Sequence, residues 1–590
     1  MSVAAAPFRE AEFMAVDLDV ERRSDGTIVL RSRVPLGDYE PNLARALVTS
    51  IARQPDKSAL AFRGADGGWQ HVSYADFGRL VDAATLWLLV HVPRRRAIVV
   101  MAGNTLPAAV LTFACYSASV IHCPVGLAYG MADGDHARLR HVIAKTDPAL
   151  IYFEAHPTLA ASVNEVAGDI PVICTDASLI AGATPWAEVV ATTSAAAVTA
   201  AIAAVDTQAI ASYMLTSGST GLPKVVPISQ DNIAACTKQG LIAIGKAAGW
   251  DGTMLDWLPW HHAAGASVLR ATLLEGGTLY VDAGKPAPGL FDQTIANLRE
   301  IPVAYFNNVP LGYAMLVDAM ETDAVLRRQF FSKLRLMLYG GAGLPQHVLD
   351  RLQAMAVAET GHRIHMTTGY GMTETVSGCM VIHFPTDKVG IGLPTAALEV
   401  KLVPHDARYE VRLRGPNVMR GYLDESDMNQ QAFDDEGFYR TGDLALFHDA
   451  KDPEQGLVFA GRLTEEFKLS NGNWVYGGQL RERLLKALAG VASEVVLCDA
   501  GRDYLALLVW PVAAATLDSV TDRLSAFNAA QRGSGAVVRR VRLLTSPPRA
   551  DANEISDKGT INRRAVLDAR DADVAALYAE PPGDGTGIVA

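Results

Sequence analysis

Within nine consecutive residues, Thr216-Ser-Gly-Ser-Thr-Gly-Leu-Pro-Lys224, stand four hydroxyl side chains, two glycines and a lysine. Gly218 and Gly221 let neighbouring backbone N–H groups turn inward as an anion-binding nest. Thr216, Ser217, Ser219 and Thr220 add O–H donors, and Lys224 adds a positive charge. The order is not that of a Walker loop, because Pro223 precedes the lysine and Val225 follows it where a Ser or Thr would stand. The chemistry implied is phosphate binding.

Three further stretches carry reactive types. In Tyr339-Gly-Gly-Ala-Gly-Leu-Pro345 the residues Gly341, Ala342 and Gly343 form a strand-to-helix turn open to a flat ligand, and a plain tight turn accounts for it equally. Thr368-Gly-Tyr-Gly-Met-Thr-Glu-Thr375 places the ring of Tyr370 between glycines, followed by a hydroxyl, Thr373, and a carboxylate, Glu374. Such a set stacks on a base, donates to a phosphate and ligates Mg²⁺; the alternative is a glycine-flanked turn with a capping threonine. Tyr439-Arg-Thr-Gly-Asp443 is expected to end a strand on a carboxylate suited to two ribose hydroxyls, or to be an ordinary Gly-Asp turn.

The elements that must position these residues alternate. Asn42–Ala52 has helical spacing, Leu60–Phe62 and Trp69–Val72 read as a hairpin, and Tyr74–Val92 reads as an amphipathic helix. Strand and helix then alternate through Ala97–Met101, Leu106–Tyr116, Val120–Val125, Arg138–Lys145 and Leu150–Phe153, the pattern of a doubly wound α/β layer. Residues 1–40 read as an extended lead-in, and the alanine-rich 189–205 as a helix or connector. Ala209–Leu215 is a short buried strand entering the phosphate loop, and Ser229 caps a helix running through Leu241. The chain changes character near Gly461-Arg462, so a large domain over 1–460 and a small α+β domain over 461–590 are expected.

Bulk properties narrow the classes. The net charge of −12 argues against a nucleic-acid partner, so anions must be held locally. Six scattered cysteines without a Cys-x-x-Cys pair fit a reducing cytoplasm. Arg9, Glu10, Glu12 and Asp17 break the apolar character that a signal peptide needs, and Asn104, Pro107 and His122 interrupt the most apolar stretch, so no membrane span is expected.

Taken in order, these motifs resemble the adenylate-forming superfamily of acyl-CoA synthetases, peptide-synthetase adenylation domains and beetle luciferases, over about residues 45–570. Asp66-Gly-Gly-Trp69, Trp257-Leu-Pro-Trp-His-His262, Gly284-Lys-Pro286, Glu465-Glu-Phe-Lys-Leu-Ser470 and Ser556-Asp-Lys-Gly-Thr-Ile-Asn562 look like its feruloyl-CoA synthetase branch. The resemblance implies a large α/β domain of doubly wound subdomains with a β-barrel-like part, and a small mobile domain. It also implies a two-step reaction. The carboxylate of an aryl acid attacks ATP to give acyl-AMP and pyrophosphate, and the thiol of coenzyme A then displaces AMP.

By this resemblance, Thr216 to Lys224 hold the β- and γ-phosphates, Gly341 to Gly343 and Tyr370 flank adenine, Thr373 contacts the α-phosphate and Glu374 binds Mg²⁺. Asp443 holds ribose hydroxyls, Arg462 reaches ribose or phosphate, and the hinge is Thr464, where relatives carry Asp or Lys. Lys468 matches a thioester-phase lysine. The family's Gly-Lys-Ile is replaced here by Lys558-Gly-Thr-Ile561, so the adenylation lysine is assigned to Lys558, two residues displaced. The acid pocket maps to His262, Tyr305 to Val309, and Val376-Ser377. Within it Asn307 or Asn308 would meet a ring substituent or cap a turn, and His262 would line the pocket or serve as a core histidine. Arg539, Arg540 and Arg542 would meet the coenzyme A phosphates or form a solvated strand face. The rivals are a carrier-protein acceptor, another aryl or medium-chain acid, and a non-catalytic nucleotide-binding homologue. The molecule is expected to be a monomer or homodimer.

Overall fold

The computed structural model describes residues 3–131, 136–216, 222–287, 289–470, 474–498, 502–512, 514–531, 536–549, 552, 554–555 and 561–590. Ser217–Gly221 and Lys558, expected to hold phosphate and to drive adenylation, lie outside them. The chain forms two compact units. The larger comprises Met1–Leu402, Arg412–Arg440 and Phe447–Val458; the smaller comprises Val403–Val411, Thr441–Leu446 and Phe459–Ala590.

Among the described residues, the larger unit is built on a seven-stranded sheet. Its order is Lys224–Ser229, Ile210–Thr216, Ile121–Val125, Ala97–Met101, Leu150–Phe153, Val172–Cys174 and Thr184–Pro185. All neighbours are parallel except the first pair, which is the hairpin leading into and out of the loop expected to hold phosphate. Both sheet faces are covered, so the central strands are apolar without alternation: every residue of Ala97–Met101 and Ile121–Val125 is buried. The helix Leu106–Ala118 is sealed on all sides from Ala108 onward, which its near-absence of charge permits. Ser229 and Asn232 form a reciprocal capping box at the start of Gln230–Gly240, fixing the point where the hairpin turns into helix.

A second, three-stranded parallel sheet orders Tyr305–Asn308, Leu336–Tyr339 and His365–Thr368. Phe306, Met337 and Met366 point from successive strands into one core with Tyr313, Phe330, Phe331 and Leu352. The N-terminal stretch departs from the extended lead-in expected of it. Leu18–Arg22 and Ile28–Ser32 pair antiparallel across the Asp25-Gly26 turn, and the second strand pairs with Glu399–Leu402. Val29 and Leu30 are fully buried there, a long-range contact that local sequence does not announce.

The smaller unit centres on a sheet of Ala492–Cys498, Leu505–Pro511, Val538–Leu543 and Thr586–Ile588. Its alternation is strict. Val495, Leu497, Leu505, Leu507 and Val509 face one core with Leu484 and Leu524, while Val496, Cys498, Ala506, Leu508 and Trp510 face another with Val566 and Leu577. Among the described residues no helix is long and apolar enough to cross a membrane.

Candidate active site

The three-stranded sheet collects motifs that lie far apart in sequence. Its strands are in register at Asn308↔Tyr339 and Tyr339↔Thr368, so Val309, Gly340-Gly341 and Gly369-Tyr370 all leave from one C-terminal edge. Ligands of open parallel sheets bind outside this edge. The approach is close: Gly369 N–H donates to the Tyr339 carbonyl at 3.1 Å, and a Cβ on Gly341 would stand 3.8 Å from Val309 Cγ1. Gly341 has φ of +80°, the left-handed region that glycine occupies without cost. Residues 341–343 are exposed and Tyr370 is half-buried, so a turn and a ring stand at the same sheet edge.

Beyond Tyr370 the backbone folds tightly on itself. A Cβ on Gly371 would lie 2.1 Å from the Ser377 carbonyl oxygen, so this position admits no side chain. Thr373–Thr375 form a single 3₁₀ turn, followed by Val376 at φ +66°. A β-branched residue in that region is strained, and it is held by burial and by Val376 N–H donating to the Thr373 carbonyl at 3.0 Å. The Thr375 hydroxyl donates to the Ser377 carbonyl at 2.8 Å, closing the loop.

The phosphate hairpin meets this loop through a residue the motif reading passed over. Thr216 pairs with Lys224 across the hairpin, so the two ends of the phosphate loop are adjacent. Lys224 Nζ sits 4.4 Å from the ring centroid of Tyr422. The Tyr422 hydroxyl donates to Glu374 Oε1 at 2.8 Å and lies 3.1 Å from the Tyr439 hydroxyl. Since the single Tyr422 proton goes to the carboxylate, Tyr439 is the donor in the second bond. Burial first, and then the neighbouring Glu374 charge, push the Tyr422 pKa far up, so it remains a donor at every accessible pH. Glu374 is 6% exposed. Sequence carried one weak sign of Tyr422, an aromatic after Gly421 in a polar stretch.

The expected acid-pocket residues divide. Val309 joins the sheet edge, and the adjoining apolar patch contains Trp257 and Leu258 with Ala264 against it. His262 precedes the helix Ala263–Glu275, and its ring stands 4.4 Å from that of His261. Asn308 is 1% exposed; its Oδ1 accepts from Trp257 Nε1 at 3.1 Å and from Val309 N–H at 2.8 Å, which makes it a brace for the wall. Tyr305 starts its strand, about 10 Å from the edge at 3.3 Å per residue. It packs on Trp250 at 5.0 Å, apart from Val309, Val376 and Ser377.

Asp443 and Arg462 come together in the smaller unit, with Arg462 Nε 2.9 Å from Asp443 Oδ1. Asp443 does not end a strand as expected: Tyr439–Phe447 is one strand and Asp443 is at its middle. Gly442 at φ +71° kinks the chain, and the Thr441 hydroxyl, donating to the Val411 carbonyl at 2.6 Å, carries the pairing past the kink. Thr464 lies exposed in a 3₁₀ turn, Leu463–Glu465, and Lys468 is exposed at the end of the strand Glu466–Lys468. Arg540 and Arg542 are engaged within the unit, Arg540 with the Leu577 and Ala579 carbonyls at 2.8 Å and Arg542 with Asp573 at 2.6 Å.

Comparison with known proteins agrees with this geometry. The model of the AMP-binding enzyme family matches residues 47–423. A 2-succinylbenzoate–CoA ligase of Staphylococcus epidermidis is 29% identical over 297 residues, 49% of this chain and 56% of that protein. An acyl-CoA ligase of Aspergillus niger is 30% identical over 250 residues, covering 40% and 44%. The chain thus spans about half the length of the relatives it matches. ATP-bound MatB from Rhodopseudomonas palustris superposes with a TM-score of 0.69 at 19% identity, over 90% of this chain and 98% of that one. The anthranilate CoA ligase AuaEII in complex with anthranoyl-AMP gives 0.72 at 17% identity, over 92% and 99%. The fold is that of the adenylate-forming enzymes, and the chain belongs to the AMP-binding enzyme family.

Proposed function

We propose that this protein is an ATP-dependent, AMP-forming ligase that joins an aryl carboxylic acid of the hydroxycinnamate type to coenzyme A. The observation that carries the reading is the convergence of Val309, Gly341 and Tyr370 on one sheet edge, together with the chain of contacts Lys224–Tyr422–Glu374. Relatives named as acid–CoA ligases support it. The feruloyl-like motifs Trp257–His262 and Glu465–Ser470 favour an aryl acid.

In this reading Tyr370 stacks on adenine and the Gly341 turn admits its other face. Thr216 and Lys224, with the loop between them, hold the β- and γ-phosphates as pyrophosphate departs. The carboxylate oxygen bonds to the α-phosphorus while the bond to the bridging oxygen breaks, giving acyl-AMP and pyrophosphate. Glu374 suits Mg²⁺: it is a hard oxygen donor, with Tyr422 orienting one carboxylate oxygen. The metal, when bound, would neutralise phosphate charge. Asp443, oriented by Arg462, takes the ribose hydroxyls. Residues 461–590 act as a domain turning about Thr464, with Lys558 serving adenylation and Lys468 the thioester step. The thiol of coenzyme A then displaces AMP. The six cysteines, all free and buried, suit a reducing cytoplasm.

Pyrophosphate release, followed with cinnamic, benzoic and medium-chain acids and then with coenzyme A added, tests the reading. Acid-dependent release and an acyl-CoA product, greatest for cinnamic acids, are expected. Release that does not depend on any acid overturns it.

A further inference from the structure

One buried cation in the larger unit has no counter-charge among the described residues. Arg270, on the helix Ala263–Glu275, is 4% exposed, and its Nε has no hydrogen-bond partner. No carboxylate pairs with its guanidinium among the described residues. Its charge reaches three buried side chains on three other elements: Tyr116 of Leu106–Ala118, His122 of Ile121–Val125 and Cys236 of Gln230–Gly240. The Tyr116 hydroxyl lies within hydrogen-bonding reach of the Arg270 guanidinium, and His122 Nε2 is buried without a hydrogen-bond partner among the described residues. Burial, and then Arg270, push the His122 pKa down to about 3, so the imidazole is neutral and carries one N–H. Burial keeps the Tyr116 hydroxyl protonated. Neutral polar groups from separate elements thus surround this cation, and none of them carries a negative charge. Buried polar groups are nearly always paired, and a buried charge lacking a partner is strongly destabilising.

The cluster adjoins the acid site. The Cys236 thiol bonds to the Gly378 carbonyl at 3.9 Å, directly after Val376-Ser377. The Ser212 hydroxyl donates to the His122 carbonyl at 3.0 Å, on the strand that runs into Thr216. On the helix, Ala263, Ala266 and Arg270 share a face, and helical side chains lean toward the N-terminus, here toward His262. Eight residues at 1.5 Å rise separate His262 from Arg270 by about 12 Å, a span suited to an extended aryl acid.

We propose that Arg270, with Tyr116 and His122, receives a second carboxylate at the far end of the acid substrate. The preferred class is then an aryl dicarboxylic acid of which one carboxyl is activated. This rests on the ligase reading above. A guanidinium fork matches a carboxylate in geometry and charge, whereas a phenol or methoxy oxygen leaves the arginine uncompensated.

The test compares 4-carboxycinnamate with its 4-methyl ester in pyrophosphate release, and each as an additive in thermal unfolding. Wild type is expected to favour the diacid in kcat/KM by about 100-fold, mostly through KM. Arg270→Met should collapse that ratio toward one and Arg270→Lys should retain part of it. The diacid should raise the Tm of wild type and leave that of Arg270→Met unmoved. Without ligand, Arg270→Met should melt higher than wild type, because an uncompensated charge is gone; a purely structural arginine would give the reverse. A wild type indifferent to the ester, or an Arg270→Met variant that keeps the preference, overturns the proposal. If neither these compounds nor the cinnamic, benzoic and medium-chain acids release pyrophosphate, the ligase reading fails. The diacid-dependent Tm rise, present in wild type and lost in the variant, then supports the Arg270 site, and its absence overturns it.

Discussion

At the scale of single residues, the site depends on groups whose partners are already settled. Tyr422 links the phosphate hairpin to the 3₁₀ turn, its ring under Lys224 and its hydroxyl on Glu374. Tyr422→Phe keeps the ring and removes the donor, so the lysine contact survives and the carboxylate loses its orientation. A hydrogen bond to a charged group contributes about 1.5–3 kcal/mol, and kcat/KM for pyrophosphate release should fall about 10- to 100-fold. A Mg²⁺ titration of that rate should shift to higher concentration; an unchanged titration would mean that Glu374 is oriented by something else. Tyr422→Leu also removes the ring and should lose more. Asn308 shows a different relation between residue type and role. Its chemistry fits a phenol, yet its oxygen is committed to Trp257 and Val309 N–H.

At the scale of elements, the close passage of Gly371 under Ser377 is the narrowest constraint on the loop. With 2.1 Å available to a Cβ, Gly371→Ala must move backbone against backbone. The expected result is loss of pyrophosphate release by at least about 100-fold, equivalent to roughly 2.7 kcal/mol of transition-state stabilisation, while the far-UV circular dichroism stays native. A second constraint lies in the smaller unit. Glu554 is 0% exposed in its side chain and takes Arg570 in a two-bond fork, Nε to Oε1 at 2.9 Å and Nη2 to Oε2 at 2.8 Å. Its Oε2 also accepts from Arg549 N–H at 2.7 Å, and its carbonyl accepts from Asn562 N–H at 2.9 Å. Breaking one side of a buried pair costs about 3–5 kcal/mol, so Glu554→Gln should lower the urea midpoint by that equivalent. The double variant Glu554→Gln/Arg570→Met should recover part of the loss.

For the whole molecule, pH acts through buried histidines. Burial pushes the pKa of His122 down to about 3 and that of His365 down to about 4. Both lie below the unfolded value of about 6.5, so the folded state binds fewer protons in between. Their contribution to stability is complete above that value and declines as pH falls toward the folded pKa, by about 1.4 kcal/mol per unit for each group. Asp256 works in the opposite sense, because burial raises its pKa well above the carboxylate range. A difference between variants therefore isolates the histidine. Between pH 6.5 and 4, the unfolding free energy of wild type should fall more steeply than that of His365→Phe by about 1.4 kcal/mol per pH unit. Equal slopes would show that His365 does not titrate on unfolding. His365 stacks on Phe8 at 4.6 Å, so phenylalanine suits the space.

Much of this protein was legible in its sequence, because periodicity and turn chemistry are local properties. The apolar runs Ala97–Met101 and Leu150–Phe153 are strands at those bounds, and Ser229 does cap the helix that follows. The glycine motifs after Tyr339 and Thr368 were likewise visible as turns. What sequence spacing does not contain is which turns share an edge, and that is decided by strand register. Val309, Gly341 and Tyr370 are neighbours because three parallel strands pair at matched positions, while Tyr305, four residues before Val309, is carried to the other end of its strand. Tyr422 left only a faint trace in the sequence and Arg270 left none. An aromatic in a loop and an arginine in an apolar helix acquire meaning only from the buried groups set against them, and burial is a property of the folded chain.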